Sequence, residues 1–147
     1  MISMLRIDFE KLVTEGYEKL PEWVRLKIRN VALLVEDEPS NEDRKTEGLA
    51  DDETLLGLYK GIPLSERGEL YGVGMTMPDT ITLYQKPIEE AASELWMSDI
   101  HNSGVQTFQD AVKSVVADTV WHEFAHHFGM DEGEVRKREQ ERFGDVV

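Results

Sequence analysis

Apolar residues recur at Phe9, Leu12, Val13, Tyr17 and Leu20, a helical spacing, and Asp8 is placed to cap that helix. Pro21 closes it and suits the first turn of a short second helix, Glu22 to Asn30, burying Trp23, Val24 and Ile28. Val31 to Val35 is an unbroken apolar run, the pattern of a central strand. The acid-rich stretch from Glu36 to about Glu53 follows, with Pro39 early; it reads as a mobile, solvated loop. It lacks the spacing and glycine of an EF-hand.

Leu55 to Tyr59 is a short strand running into the Gly61-Ile62-Pro63 turn, and Gly68, Gly72 and Gly74 mark a loop. Thr80 to Gln85 alternates Ile and Leu with Thr and Tyr, as a half-exposed strand does. Pro87 opens a helix to about Trp96, and Asn102-Ser103-Gly104 breaks the chain. The last long helix starts near Thr107, where Thr107 and Asp110 have capping-box spacing, and stops at Gly129. Residues from about 133 to 147 form a charged C-terminal segment. This order of elements predicts a single small α+β domain with a mixed or antiparallel sheet.

The chain has 147 residues, enough for one core, and 40% of them are hydrophobic. Sixteen basic residues face 30 acidic ones, for a net charge of −14. That surface repels phosphate backbones and anionic lipid, so neither nucleic acid nor membrane is an expected partner. Cysteine is absent, which removes disulfides, thiolate metal ligands and thiol nucleophiles. The N-terminal segment lacks the apolar run of a signal peptide, and Met4 is a plausible alternative start. No apolar stretch approaches the roughly 20 residues of a membrane span, so the expected location is the cytoplasm.

The chemistry concentrates in His122-Glu123-Phe124-Ala125-His126, an HExxH sequence. At about 100° per residue, histidines four apart lie on one helix face and converge on one ion. Glu123 flanks the first histidine, where its carboxylate reaches the water of a bound zinc and takes its proton. His122 and His126 share their stripe with Phe108, Val112, Val115 and Thr119, with Asp110, Lys113 and Asp118 placed on the opposite side. The histidines therefore face the core or a cleft. Burying a carboxylate beside two imidazoles without compensation costs several kcal/mol, and a bound cation compensates directly.

Tetrahedral catalytic zinc needs a third protein ligand. Gly129 allows a sharp exit from the helix, after which Asp131 or Glu132 can swing back. The spacing HExxHxxGxx-ligand selects Glu132. His127 points about 100° away from His126, as a packed core residue or a hydrogen-bond donor to the ligands. His101, Tyr59, Tyr71, Tyr84 and Arg136 are further candidates for stabilising a developing oxyanion. Nickel, cobalt or iron can also occupy His/carboxylate sites.

On FEKLVTEGYEKLPEW, VALLVEDEP, LLGLYKGIPLSERG, PDTITLYQKPIEE and above all WHEFAHHFG, the chain resembles the small bacterial zincin-like metallopeptidases, or minimal zincins. The resemblance runs from Phe9 to about Glu134. It implies a reduced zincin fold, a small twisted mixed sheet packed on an HExxH helix. It implies zinc on His122 and His126, Glu123 as general base, and Gly129 as the glycine of the turn. The family pattern reads HExxHxxGxxD; here Glu132 takes the aspartate position and Asp131 precedes it. Zincins bind peptide as an added strand, and the resemblance suggests Thr80 to Gln85 as that sheet edge.

The leading expectation is a zinc-dependent peptidase or amidase acting on peptide or protein. A metal-stabilised binding module without catalysis is the second reading, since an acidic surface can dock a basic partner. The histidine spacing also resembles a bacterial endoribonuclease family of ribosomal RNA maturation, whose third histidine and basic surface are not found here. Peptide deformylases share HExxH, but their cysteine ligand is missing.

Overall fold

The structure is a computed structural model that describes residues 4–61, 79–98 and 107–127. In chain order, these hold α1 (Arg6–Glu18), α2 (Glu22–Lys27), β1 (Ala32–Glu36), α3 (Asn41–Thr46), β2 (Gly57–Lys60), β3 (Thr80–Tyr84), α4 (Gln85–Ser98) and α5 (Phe108–His127). The class is α+β, as expected, with a mixed three-stranded sheet in the order β1-β3-β2. β1 runs parallel to β3, with Leu34 opposite Thr82, and β2 runs antiparallel to it, with Leu58 opposite Thr82.

Two strands exchange their expected places. Among the described strands the apolar run of β1 lies at an edge and leaves Leu34 exposed, whereas β3 is the central strand. Ile81, Leu83 and Tyr84 are fully buried and Thr82 nearly so. Thr80 to Gln85 is therefore neither half-exposed nor a peptide-accepting edge. A threonine satisfies its hydroxyl locally and packs its methyl, so its polarity is a weak guide to exposure. Gln85 belongs to α4, which follows β3 without a loop.

The acidic stretch after β1 is not all loop, since it contains α3. Ser40 Oγ accepts a 3.0 Å hydrogen bond from the Asp43 amide, satisfying one otherwise unpaired donor of that helix. Arg44 then donates to the carbonyls of Ala50 (2.9 Å) and Glu53 (2.6 Å), folding the following turn onto α3. Lys60 Nζ lies 2.8 Å from Asp43 and ties α3 to β2. At α1, Asp8 lies within the first turn and Leu5 holds the cap position without a side-chain bond. Asp8 thus favours the helix through its positive N-terminal dipole, not as a cap.

α5 is the axis of the core. Val112, Val116, Val120, Trp121 and Ala125 are fully buried along it, and Phe124 nearly so. Removing one such large side chain from water contributes roughly 1.5–3 kcal/mol. Trp23 of α2 stands edge-on to Trp121 and Phe124, at centroid distances of 5.9 and 5.7 Å. Thr107 caps α5 as expected, its Oγ accepting from the Asp110 amide at 3.0 Å. α1 crosses α5 at Gly16, where an added Cβ would lie 2.8 Å from the Lys113 carbonyl oxygen. Gln85 and Glu89, both buried on α4, bind the Met4 backbone: Gln85 Nε2 donates to its oxygen (2.8 Å) and its nitrogen donates to Glu89 (2.7 Å). No helix among the described residues is long and apolar enough to cross a membrane.

Candidate metal and catalytic site

His122, Glu123 and His126 lie in the last described turns of an unbroken helix, so the two histidines share a face as their spacing requires. Both are exposed, although most of α5 before them is buried. Two imidazoles held one turn apart and open to solvent are a donor pair that suits a borderline-soft divalent ion. Among the described residues no group of three or more His, Asp or Glu side chains is arranged to hold a metal. Glu132, Asp131 and Gly129 lie outside the described residues, as do His101, Tyr71, Arg136 and the charged segment after residue 133.

Glu123 is half-buried, and its position follows from the ladder of β2. The Leu56 carbonyl accepts from the Tyr84 amide at 2.9 Å, so hydrogen bonding to β3 alternates along even-numbered residues of this segment. The Tyr59 amide therefore points away from β3. It donates to Glu123 Oε1 at 2.9 Å. Burial raises the pKa of Glu123 above its ordinary value, opposed by the Tyr59 amide and by His126.

Beside the carboxylate lies a cavity of about 520 Å³, with Leu55, Leu56, Ala91, Leu95 and Val115 among its lining residues together with His122 and Glu123. Asp118 also lines it, so the expectation that it faces away from the histidines fails. It stands four residues before His122 and thus nearly beneath it on the helix. Gly57 is a second contributor that the sequence pattern passes over. A Cβ there would lie 2.7 Å from Thr119 Cγ2, so β2 approaches α5 only because the side chain is absent.

The tyrosines and His127 separate clearly. Tyr84 is fully buried, and burial followed by the charges of Asp43 and Glu36 pushes its pKa up to about 12. Its hydroxyl makes no bond of ordinary geometry among the described residues. Tyr59 stacks on His127 with ring centroids 3.8 Å apart and planes 14° from parallel. Its hydroxyl donates to Asp79 Oδ2 at 2.8 Å, and His127 Nε2 lies 3.9 Å from the same oxygen. His127 is thus stacked on Tyr59 but is not the core residue expected, since more than a third of its side chain remains accessible.

The profile of the zincin-like metallopeptidase family matches residues 28–142, which include β1 to β3 and the whole of HExxH. The chain belongs to that family. Among solved structures, this zincin-like chain is similar to a conserved hypothetical protein from Thermo thermophilus, at 19% identity and a TM-score of 0.44. The match covers 84% of this chain and 94% of the other. No curated protein matches the zincin-like chain.

Proposed function

We propose that this zincin-like protein is a zinc-dependent hydrolase that cleaves peptide or amide bonds. The observation that carries the proposal is the Tyr59–Glu123 hydrogen bond. It holds one oxygen of a half-buried carboxylate next to two exposed histidines on the same helix. His122 and His126 would bind the ion, with Glu132 supplying the third ligand. When bound, zinc polarises the scissile carbonyl and makes water acidic enough to react near neutral pH.

The remaining work falls to the chain's own groups. Glu123 takes a proton from the attacking water and delivers it to the leaving nitrogen. With Oε1 engaged by the Tyr59 amide, the other carboxylate oxygen is the one that handles the proton. β2 takes the place of β3 as the sheet side along which substrate backbone would lie, because β2 is the strand at Glu123. The apolar cavity beside Glu123 is large enough for a substrate side chain, since clefts of roughly 300–1,000 Å³ hold small ligands. Asp118 at its wall and the net charge of −14 disfavour an acidic residue there.

The test is turnover of a fluorogenic peptide library by zinc-loaded protein. Cleavage that chelator suppresses and added zinc restores is the expected result. Stoichiometric zinc without cleavage of any library member would favour the metal-stabilised binding module instead.

A further inference from the structure

We propose that Tyr59, Asp79 and His127 form a clamp that positions Glu123, a role that rests on Glu123 being the general base. Glu123 takes its bond from a backbone amide at the outer side of a four-residue strand, β2. Among the described residues β2 makes ladder bonds to β3 alone, so on its other side the position of the Tyr59 amide depends on the side chains packed there.

Tyr59 supplies two anchors from the residue whose amide meets the carboxylate. Its ring lies flat on His127, the last described residue of α5, one turn beyond Glu123. Its hydroxyl donates to Asp79, the residue just before β3. Asp79 is itself tied into the sheet, because its carbonyl accepts from the Ala32 amide of β1 at 2.9 Å. The amide of Tyr59 is thereby referenced to both partners that matter: the helix carrying HExxH and the central strand. Stacking requires an aromatic face at position 127 and does not require an imidazole. That distinction separates a positioning role from chemical participation by His127.

The experiment compares wild type with His127→Ala, His127→Phe and Tyr59→Phe in the full chain. Hydrogen exchange of the Tyr59 amide, read by NMR, needs no substrate. His127→Ala should speed that exchange about ten-fold, as expected when a local bond opens more often, and Tyr59→Phe should speed it too. His127→Phe should return it to the wild-type rate. On any peptide the wild type cleaves, kcat should fall about ten-fold in His127→Ala and recover in His127→Phe, with KM and zinc content within two-fold throughout. Unchanged exchange in both His127→Ala and Tyr59→Phe overturns the clamp. So does a His127→Phe protein that restores exchange but stays as slow as His127→Ala, because the imidazole would then act by itself. A wild type that cleaves nothing defeats the hydrolase reading alone, and the exchange rates still decide the clamp.

Discussion

Gly57 and Thr119 meet with no room for a single methyl group between them: a Cβ on the glycine would lie 2.7 Å from Thr119 Cγ2 and 3.1 Å from the Thr82 carbonyl oxygen. Both neighbours are parts of packed elements, so the strand must shift. Gly57→Ala should destabilise the fold by about 1–3 kcal/mol, the usual cost of overpacking. Because Tyr59 is two residues further along the same strand, hydrolysis should fall more than the fraction unfolded explains. Thermal melts and rates on the same samples check both. Ala at position 57 with wild-type stability would show that β2 and α5 separate easily.

Glu123→Gln keeps the shape of the side chain and its ability to accept from Tyr59, but removes its basicity. Zinc content should remain that of wild type, and turnover should drop by about 10²–10⁴-fold. His122→Ala should instead lose the zinc, measured by elemental analysis. A Glu123→Gln protein with wild-type turnover would remove Glu123 from the reaction.

The Tyr84 hydroxyl is buried near the Asp43 carboxylate but makes no bond of ordinary geometry among the described residues. Leaving a polar group in that condition costs on the order of 1–3 kcal/mol. Tyr84→Phe should therefore be neutral or stabilising, by up to about 1 kcal/mol in chemical denaturation. A marked loss would mean that the hydroxyl makes a bond supplied from elsewhere in the chain.

The Asp43–Lys60 pair gives a pH dependence whose sign is fixed. The Lys60 hydrogen bond holds Asp43 below its ordinary 3.8, and Asp43 holds Lys60 above its ordinary 10.5. The Asp43 contribution is present above pH 3.8 and is lost as pH falls through the lowered value. The Lys60 contribution is present below pH 10.5 and is lost as pH rises through the raised value. Half of the Lys60 side chain is exposed, so screening limits the pair to under about 1 kcal/mol. Asp43→Asn should be slightly less stable than wild type at pH 7, and the difference should close well below pH 3.8 and in high salt.

Local signals carried most of this molecule. The periodic helices, the Thr107 cap and the shared face of His122 and His126 all follow from spacing within a few residues. The α3 cap was equally local, since Ser40 and Asp43 have the N-cap spacing, but the acidic run around them pointed to loop. The exchange of β1 and β3 was not legible, because strand order depends on pairing between Leu34 and Thr82, far apart in sequence. Nor was the role of Tyr59: its bond to Glu123 joins residues 64 positions apart and uses the backbone, which no side-chain pattern announces.

The strand at the middle of the sheet is the third of the described strands to leave the ribosome. Until Tyr84 has emerged, β1 and β2 lack the one strand that both pair with among the described residues, and α5 is made later still. A nascent or truncated chain ending before β3 would carry β1 and β2 without the strand that joins them, and without HExxH. Assembly waits on contacts distant in sequence, which makes folding slower than in an all-helical protein of this length.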